Sequence, residues 1–218
     1  MLKKQENAFW EAIDAFDKEG LLPYVMLIGS WAEYIYQFYF KSEFAPNLKT
    51  RDVDFLYLNL RRPKNDINIT SALREKGFIY AEDRLSGVGK FIKEDLLELE
   101  FITRVIGKEK RTYKIPSIGI EAEALRVVNM LADYPLELEC RDYILIVPEP
   151  GAYILQKLLT NPVRVPPSKK EKDIQAVREL LKHINIKRLH EIFDKLTDKN
   201  KKTIMSVCEK NYIDLEKA

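Results

Sequence analysis

The chain has 218 residues, 46% of them hydrophobic and 32% charged, a balance that suits a globular protein able to bury a core and excludes a disordered tail. No apolar run is long enough to span a bilayer as a helix, which excludes a helical membrane protein, and Met1 to Asn7 lead into no signal segment, so the expected address is cytoplasmic. Lys and Arg number 36 against 34 Asp and Glu, and a formal net charge of +2 is too slight to name nucleic acid as a partner.

Gln5 to Gly20 carries Phe9, Trp10, Ile13 and Phe16 at a helical period, with Gly20 as a stop. After the connector Leu21-Leu22-Pro23, the apolar run Val25-Met26-Leu27-Ile28 predicts a strand. Gly29-Ser30 then turns the chain into an amphipathic helix that starts at Trp31 and ends near Phe40-Lys41-Ser42. A polar loop with Pro46 and Asn47 follows. Asp52 to Leu60 reads as a strand in which Asp52 and Asp54 share one face while Val53 and Phe55 enter the core. Arg61-Arg62-Pro63 ends it.

Asn65 to Gly77 predicts a surface helix, and Phe78-Ile79-Tyr80 a strand. Beyond the turn Ser86 to Gly89, residues 90–93 and 96–102 read as a hairpin pair, with Glu98 and Glu100 on one face of the second strand. Short strands are expected at 113–115 and 118–120, a helix near Glu123 to Leu131, and a strand at Tyr143 to Val147. Pro148-Glu149-Pro150-Gly151 then breaks the pattern. Every later segment is helical in period: Ala152 to Leu159, Lys170 to His183, Ile186 to Leu196 and Lys199 to Tyr212. The expected division is therefore 1–147 and 148–218.

Taken alone, Gly29-Ser30 is ordinary strand-to-helix punctuation. Placed before a helix start it also offers free amides, a close backbone approach and a hydroxyl, which suits a phosphate chain. Asp52 and Asp54 put like charges side by side on a strand, where Asp is disfavoured, and that arrangement invites a hard divalent cation. Glu98 and Glu100 compete as a third acid. Glu100 is favoured because Phe101-Ile102 follow it much as Phe55-Leu56 follow Asp54.

The other polar residues have plainer readings. Cys140 and Cys208 are expected reduced and structural. His183 and His190 lack ligand partners at metal spacing and are assigned to surface or packing roles. The aromatics from Tyr34 to Phe40 read as core. Lys169-Lys170-Glu171-Lys172 and Lys199-Asn200-Lys201-Lys202 read as solvated charge, or as a basic rim for a polyanion such as tRNA.

Gly29-Ser30, the segment Thr50-Arg51-Asp52-Val53-Asp54-Phe55-Leu56 and the strand acid Glu100 together resemble the DNA polymerase beta-type nucleotidyltransferase superfamily. Val147-Pro148-Glu149-Pro150, Lys157, Arg164 and Lys172-Asp173-Ile174 resemble, in order, its minimal branch that includes AbiEii-type toxins of toxin–antitoxin systems. The likeness runs from about Met26 to Leu181.

The resemblance implies an α+β fold: a mixed β-sheet nucleotidyltransferase core flanked by helices, followed by a C-terminal helical part. It implies transfer of an NMP from an NTP to an acceptor hydroxyl on RNA, tRNA or protein, with two Mg2+ ions and a possible antitoxin partner. Gly29 and Ser30 would hold the beta and gamma phosphates. Asp52, Asp54 and Glu100 would be catalytic and would hold the metals, and Lys157 and Lys172 would contact the nucleotide. Asp173 would position its neighbours. The family's third acid is usually Asp, so Glu100 also raises a second expectation, a nucleotide-binding module without turnover. A structural adaptor with merely exposed acids is the third.

Overall fold

The computed structural model describes residues 2–41, 44, 46, 50–107 and 110–215. Ser42 and Asn47, named above at the end of a helix and in a loop, lie outside them. Among the described residues nine strands form one mixed sheet. The first helix, α1 (Leu2–Lys18), leads through a short 3-10 turn to β1 (Val25–Ile28), α2 (Gly29–Phe40) and β2 (Asp52–Tyr57). Next come α3 (Ile69–Glu75), β3 (Ile79–Glu82), β4 (Gly89–Lys93), β5 (Leu97–Arg104), β6 (Thr112–Ile115) and β7 (Ile120–Leu125). The chain continues with α4 (Asn129–Ala132), β8 (Pro135–Cys140), β9 (Tyr143–Pro148), α5 (Pro150–Thr160), α6 (Pro167–Leu181), α7 (Ile186–Asp194) and α8 (Asp198–Lys210). The α+β architecture is the one expected.

The sheet runs β3-β4-β5-β2-β1-β9-β8, and β7 joins β5 and β6 off this path. Strand β5 is parallel to β2 along its whole length, while its other edge changes partner. Residues 97–100 pair with β4 and residues 102–104 with β7. The fork opens beside Glu100.

Alternation along the central strands creates two chemically different faces. Leu27, Val53, Phe55, Leu99 and Phe101 point into the main core. There Phe16 of α1 packs its ring 4.8 Å from Phe55 and 5.9 Å from Phe101, while Phe9 stacks on Trp31 of α2 at 4.6 Å. The opposite face carries Asp52 and Asp54 at one end. At its other end lies a smaller apolar cluster of Met26, Ile28, Leu56 and Ile102, capped by Val128 and Leu131 around α4. Helix α5 is buried from Pro150 to Leu158, because its neighbours α4, α6, α7 and α8 leave it little solvent.

Three expectations are corrected. Glu123 to Leu131 is not one helix: Ile120, Ala122 and Ala124 are buried in alternation with Glu121 and Glu123, a period of two, so 120–125 is strand β7 and only Asn129–Ala132 is helical. Strand β8 was not anticipated; it is the sheet edge that pairs with β9 through Leu136, Leu138 and Cys140. The strand expected at 118–120 is displaced as well, because residues 116–119 make the turn between β6 and β7 and the strand begins only at Ile120; elsewhere the expected elements stand within a few residues of their predicted ends.

Phe101 is fully buried and meets the Phe16, Phe55 and Phe91 rings. Phe101→Ala is expected to cost about 3–5 kcal/mol, read as a lowered midpoint in urea unfolding.

Candidate active site

Strand β1 ends at Ile28, and Gly29 turns the chain into α2 with φ of +67°. The β1–β2 register sets Ile28 opposite Asp54. A Cβ on Gly29 would fall 2.5 Å from Asp54 Oδ2, so only glycine lets that carboxylate lie against the turn. The first amides of α2 have no side-chain cap and are free to meet an anion.

The β2–β5 register sets Asp52 beside Glu98 and Asp54 beside Glu100, which brings the carboxylates of two strands onto one sheet face. Glu98 is already neutralised: Lys90 donates to its Oε2, and Arg51 lies 3.8 Å from Oε1. Asp52 accepts from the Thr50 hydroxyl at 3.3 Å. Among the described residues no donor bonds the carboxylates of Asp54 or Glu100. Burial, then the charges of Glu100 and Asp52, push Asp54 up to about 7, against the weaker pull of Arg164 and Lys169. Burial and Asp52 also raise Glu100.

Among the described residues, no three His, Cys, Asp or Glu side chains stand close enough together to hold a metal ion as they are. The chemistry of the donors nevertheless fits magnesium: they are hard oxygens only, and the charged forms of Asp54 and Glu100 are opposed by burial and by neighbouring acids. Asp52, Asp54 and Glu100 are the residues that would hold it, since Glu98 is occupied by Lys90.

These side chains line a cavity of about 750 Å3 whose far wall is α5 and whose rim carries Arg164 and Lys169. Lys157 is on that wall, yet its ammonium lies 2.8 Å from Asp173 Oδ1 and 3.4 Å from Glu33 Oε1. Arg164 Nε reaches the other Asp173 oxygen at 2.9 Å. Tyr153 Oη is 2.8 Å from both Glu33 Oε1 and the Gly29 carbonyl oxygen. Two cations meet two anions in a nearly closed network that ties the Gly29 turn to α5 and α6.

Of the residues expected to contact nucleotide, Gly29 and Lys157 line the cavity; Ser30 and Lys172 are half-buried nearby and do not. Burial lowers the Lys172 ammonium. Asp173 meets both Lys157 and Arg164. Glu33 and Tyr153 were not anticipated, because a buried acid inside an aromatic helix and a tyrosine inside a core helix look like packing until a partner far along the chain is known. The histidines do pack: His183 lies against Phe40 and Phe44, and His190 Nε2 meets the Leu215 carbonyl oxygen.

A family described as nucleotidyltransferase matches residues 7–200. None of the curated proteins compared matches the chain. Solved structures do. An antigenic nucleotidyltransferase-like protein from Paracoccidioides brasiliensis is similar at a TM-score of 0.56 and 15% identity, over 93% of this chain and 87% of that one. The antibiotic-resistance factor ANT(2'')-Ia is similar at 0.52 and 13% identity, over 97% and 98%. The same protein in complex with adenylyl-2''-tobramycin gives 0.51 and 15%, over 93% and 98%. At these identities the likeness is one of fold.

Asp54 yields a pH signature. Its folded carboxyl titrates at about 7 against an ordinary 3.8, so the unfolded chain releases that proton first and folding bears a growing penalty as pH rises between the two values, complete above about 7. Without divalent cations, Asp54→Asn is expected to raise the thermal midpoint above pH 7, with the gain fading as pH falls toward 3.8. Melting curves across that window check it.

Proposed function

The chain belongs to the nucleotidyltransferase family that it matches over residues 7–200, and we propose that it moves an NMP from an NTP to an acceptor hydroxyl, with magnesium held by Asp52, Asp54 and Glu100. The observation that carries this reading is the unbonded pair Asp54 and Glu100 facing the uncapped start of α2 across one cavity. Bound magnesium supplies charge neutralisation at the attacking and leaving oxygens. The Gly29 turn and Ser30 bind the beta and gamma phosphates through helix-start amides. Arg164 and Lys169, cations on the cavity rim, add charge for the triphosphate, while Lys157 holds the wall and Lys172 supports it from behind. Glu100 accepts the proton of the incoming hydroxyl. The new oxygen–phosphorus bond forms as pyrophosphate leaves.

In-line displacement brings the acceptor from the side opposite pyrophosphate. A second cavity, of about 990 Å3, shares Lys90, Glu100 and Glu123 with the first and is walled by the edge hairpins. We assign the acceptor to it. The panel to try is RNA, tRNA, protein and, because one neighbour is solved with an adenylylated tobramycin, an aminoglycoside. We further propose that 1–147 and 148–218 act as two lobes of the cleft. A toxin role with an antitoxin partner rests on Val147-Pro148-Glu149-Pro150, Lys157, Arg164 and Lys172-Asp173-Ile174 alone. Among the described residues no helix is long and apolar enough to cross a membrane, in keeping with a reaction in the cytoplasm.

The test is label transfer from alpha-labelled NTP to each acceptor. Asp52→Asn, Asp54→Asn and Glu100→Gln are each expected to lower transfer by about 10²–10³-fold. Transfer by all three equal to that of the native chain overturns the assignment. Magnesium-dependent stabilisation by NTP without any transfer would support the binding-module reading instead.

A further inference from the structure

The cavity that holds the carboxylates is polar at one end only. Single exposed apolar side chains are ordinary, but several that share one cavity mark a ligand-binding groove. Here Val127 is 43% exposed, Val163 76% and Val165 79%, and all three line this cavity. Val127 follows β7, while Val163 and Val165 flank Arg164 between α5 and α6, so they stand on separate segments. Ile102, Leu125 and Leu131 continue the apolar surface behind Val127. A polar end fit for phosphates and an apolar end fit for a flat ring, in one cavity, match the two ends of a nucleotide.

One polar side chain belongs to the apolar end. Gln156 is 8% exposed and lines the cavity. Its Nε2 donates to the Val127 carbonyl at 2.8 Å. A carbonyl only accepts, so that bond decides which end of the amide is nitrogen and which is oxygen. Among the described residues no donor reaches Gln156 Oε1, and this atom is not sealed from solvent, since the sealed and unbonded side-chain atoms are Trp31 Nε1 and His183 Nε2. An acceptor with an unused lone pair therefore belongs to a residue that lines this cavity beside Val127.

We propose that Gln156 Oε1 selects the base of the NTP by accepting a hydrogen bond from an exocyclic amine, so that ATP and CTP are bound in preference to GTP and UTP. This rests on the nucleotide reading of the cavity. Adenine and cytosine carry an amine where guanine and uracil carry an oxygen. With an oxygen there, two acceptors face one another, and Oε1 finds a donor only if the base shifts to present its ring N–H, so the amine is the better partner. Val127, Val163 and Val165 cover the ring faces without preference, which leaves the choice of base to Gln156.

The test is equilibrium binding of magnesium and ATP, ITP, CTP, UTP, GTP or 2′-deoxy-ATP to the full chain. ITP differs from ATP in carrying an oxygen in place of the amine, together with the proton on N1 that this oxygen brings, so the native chain answers first, before any variant. ATP is expected to bind about tenfold more tightly than ITP, and CTP than UTP, the worth of one hydrogen bond made or refused. Gln156→Met, close in volume and without the amide, is expected to weaken ATP until it matches ITP within about twofold. Equal binding of ATP and ITP by the native chain overturns the proposal, as does a preference that Gln156→Met leaves intact. So does a variant that alters only the ratio of ATP to 2′-deoxy-ATP, which would assign Oε1 to the ribose. Failure of every NTP to bind removes the nucleotide reading and this proposal together; equal binding of all removes this proposal alone.

Discussion

Everything at the cavity follows from one close approach, that of the Asp54 carboxylate to the backbone of Gly29. The carboxylate occupies the place of a Cβ, in a position where burial and two neighbouring acids oppose its charge. Such an arrangement is unfavourable in isolation. It persists because the other face of the same strand leaves no choice. Val53 and Phe55 are fixed in the core against Phe16 and Phe101, and with a period of two Asp52 and Asp54 must emerge opposite. A slip of register by one residue would drive two carboxylates into an aromatic core.

The network of Glu33, Lys157, Asp173 and Arg164 answers a second need. Helix α5 brings Tyr153, Gln156 and Lys157 to the cavity, and apolar packing alone would let it slide or turn with little penalty. Paired buried charges do not tolerate such movement, because parting any member leaves another without a partner in a poorly solvated place. The Tyr153 hydroxyl, held protonated by burial and the charge of Glu33, carries that rigidity to the Gly29 carbonyl. The Gly29 turn is thus braced from the helical half of the chain.

Much of this was legible in the residues themselves. The alternation at Asp52 to Phe55 and at Glu98 to Phe101 revealed both strands and their polar face, and Gly29-Ser30 before an aromatic helix revealed the turn. What alternation cannot reveal is pairing. That β5 lies parallel to β2, so that Glu98 and Glu100 stand beside Asp52 and Asp54, is a long-range fact, as is the capture of Glu98 by Lys90. The misread stretch from Glu123 had both periods available, and its place beside Ile102 to Arg104 decided for strand. Gln156 and Tyr153 lie in a helix buried on every side, where sequence offers no polar face to notice.

The fork in β5 has a consequence for how such a chain can change. The hairpins β3–β4 and β6–β7 hang from one edge of β5, and they wall the second cavity while lining the first through Lys90, Glu123 and Leu125. Loops and side chains beyond those three can lengthen, shorten or reverse their charge without disturbing β1, β2 or the Gly29 turn. The paired acids sit on the fixed centre of the sheet, and the hairpin margin around the second cavity is free to diverge.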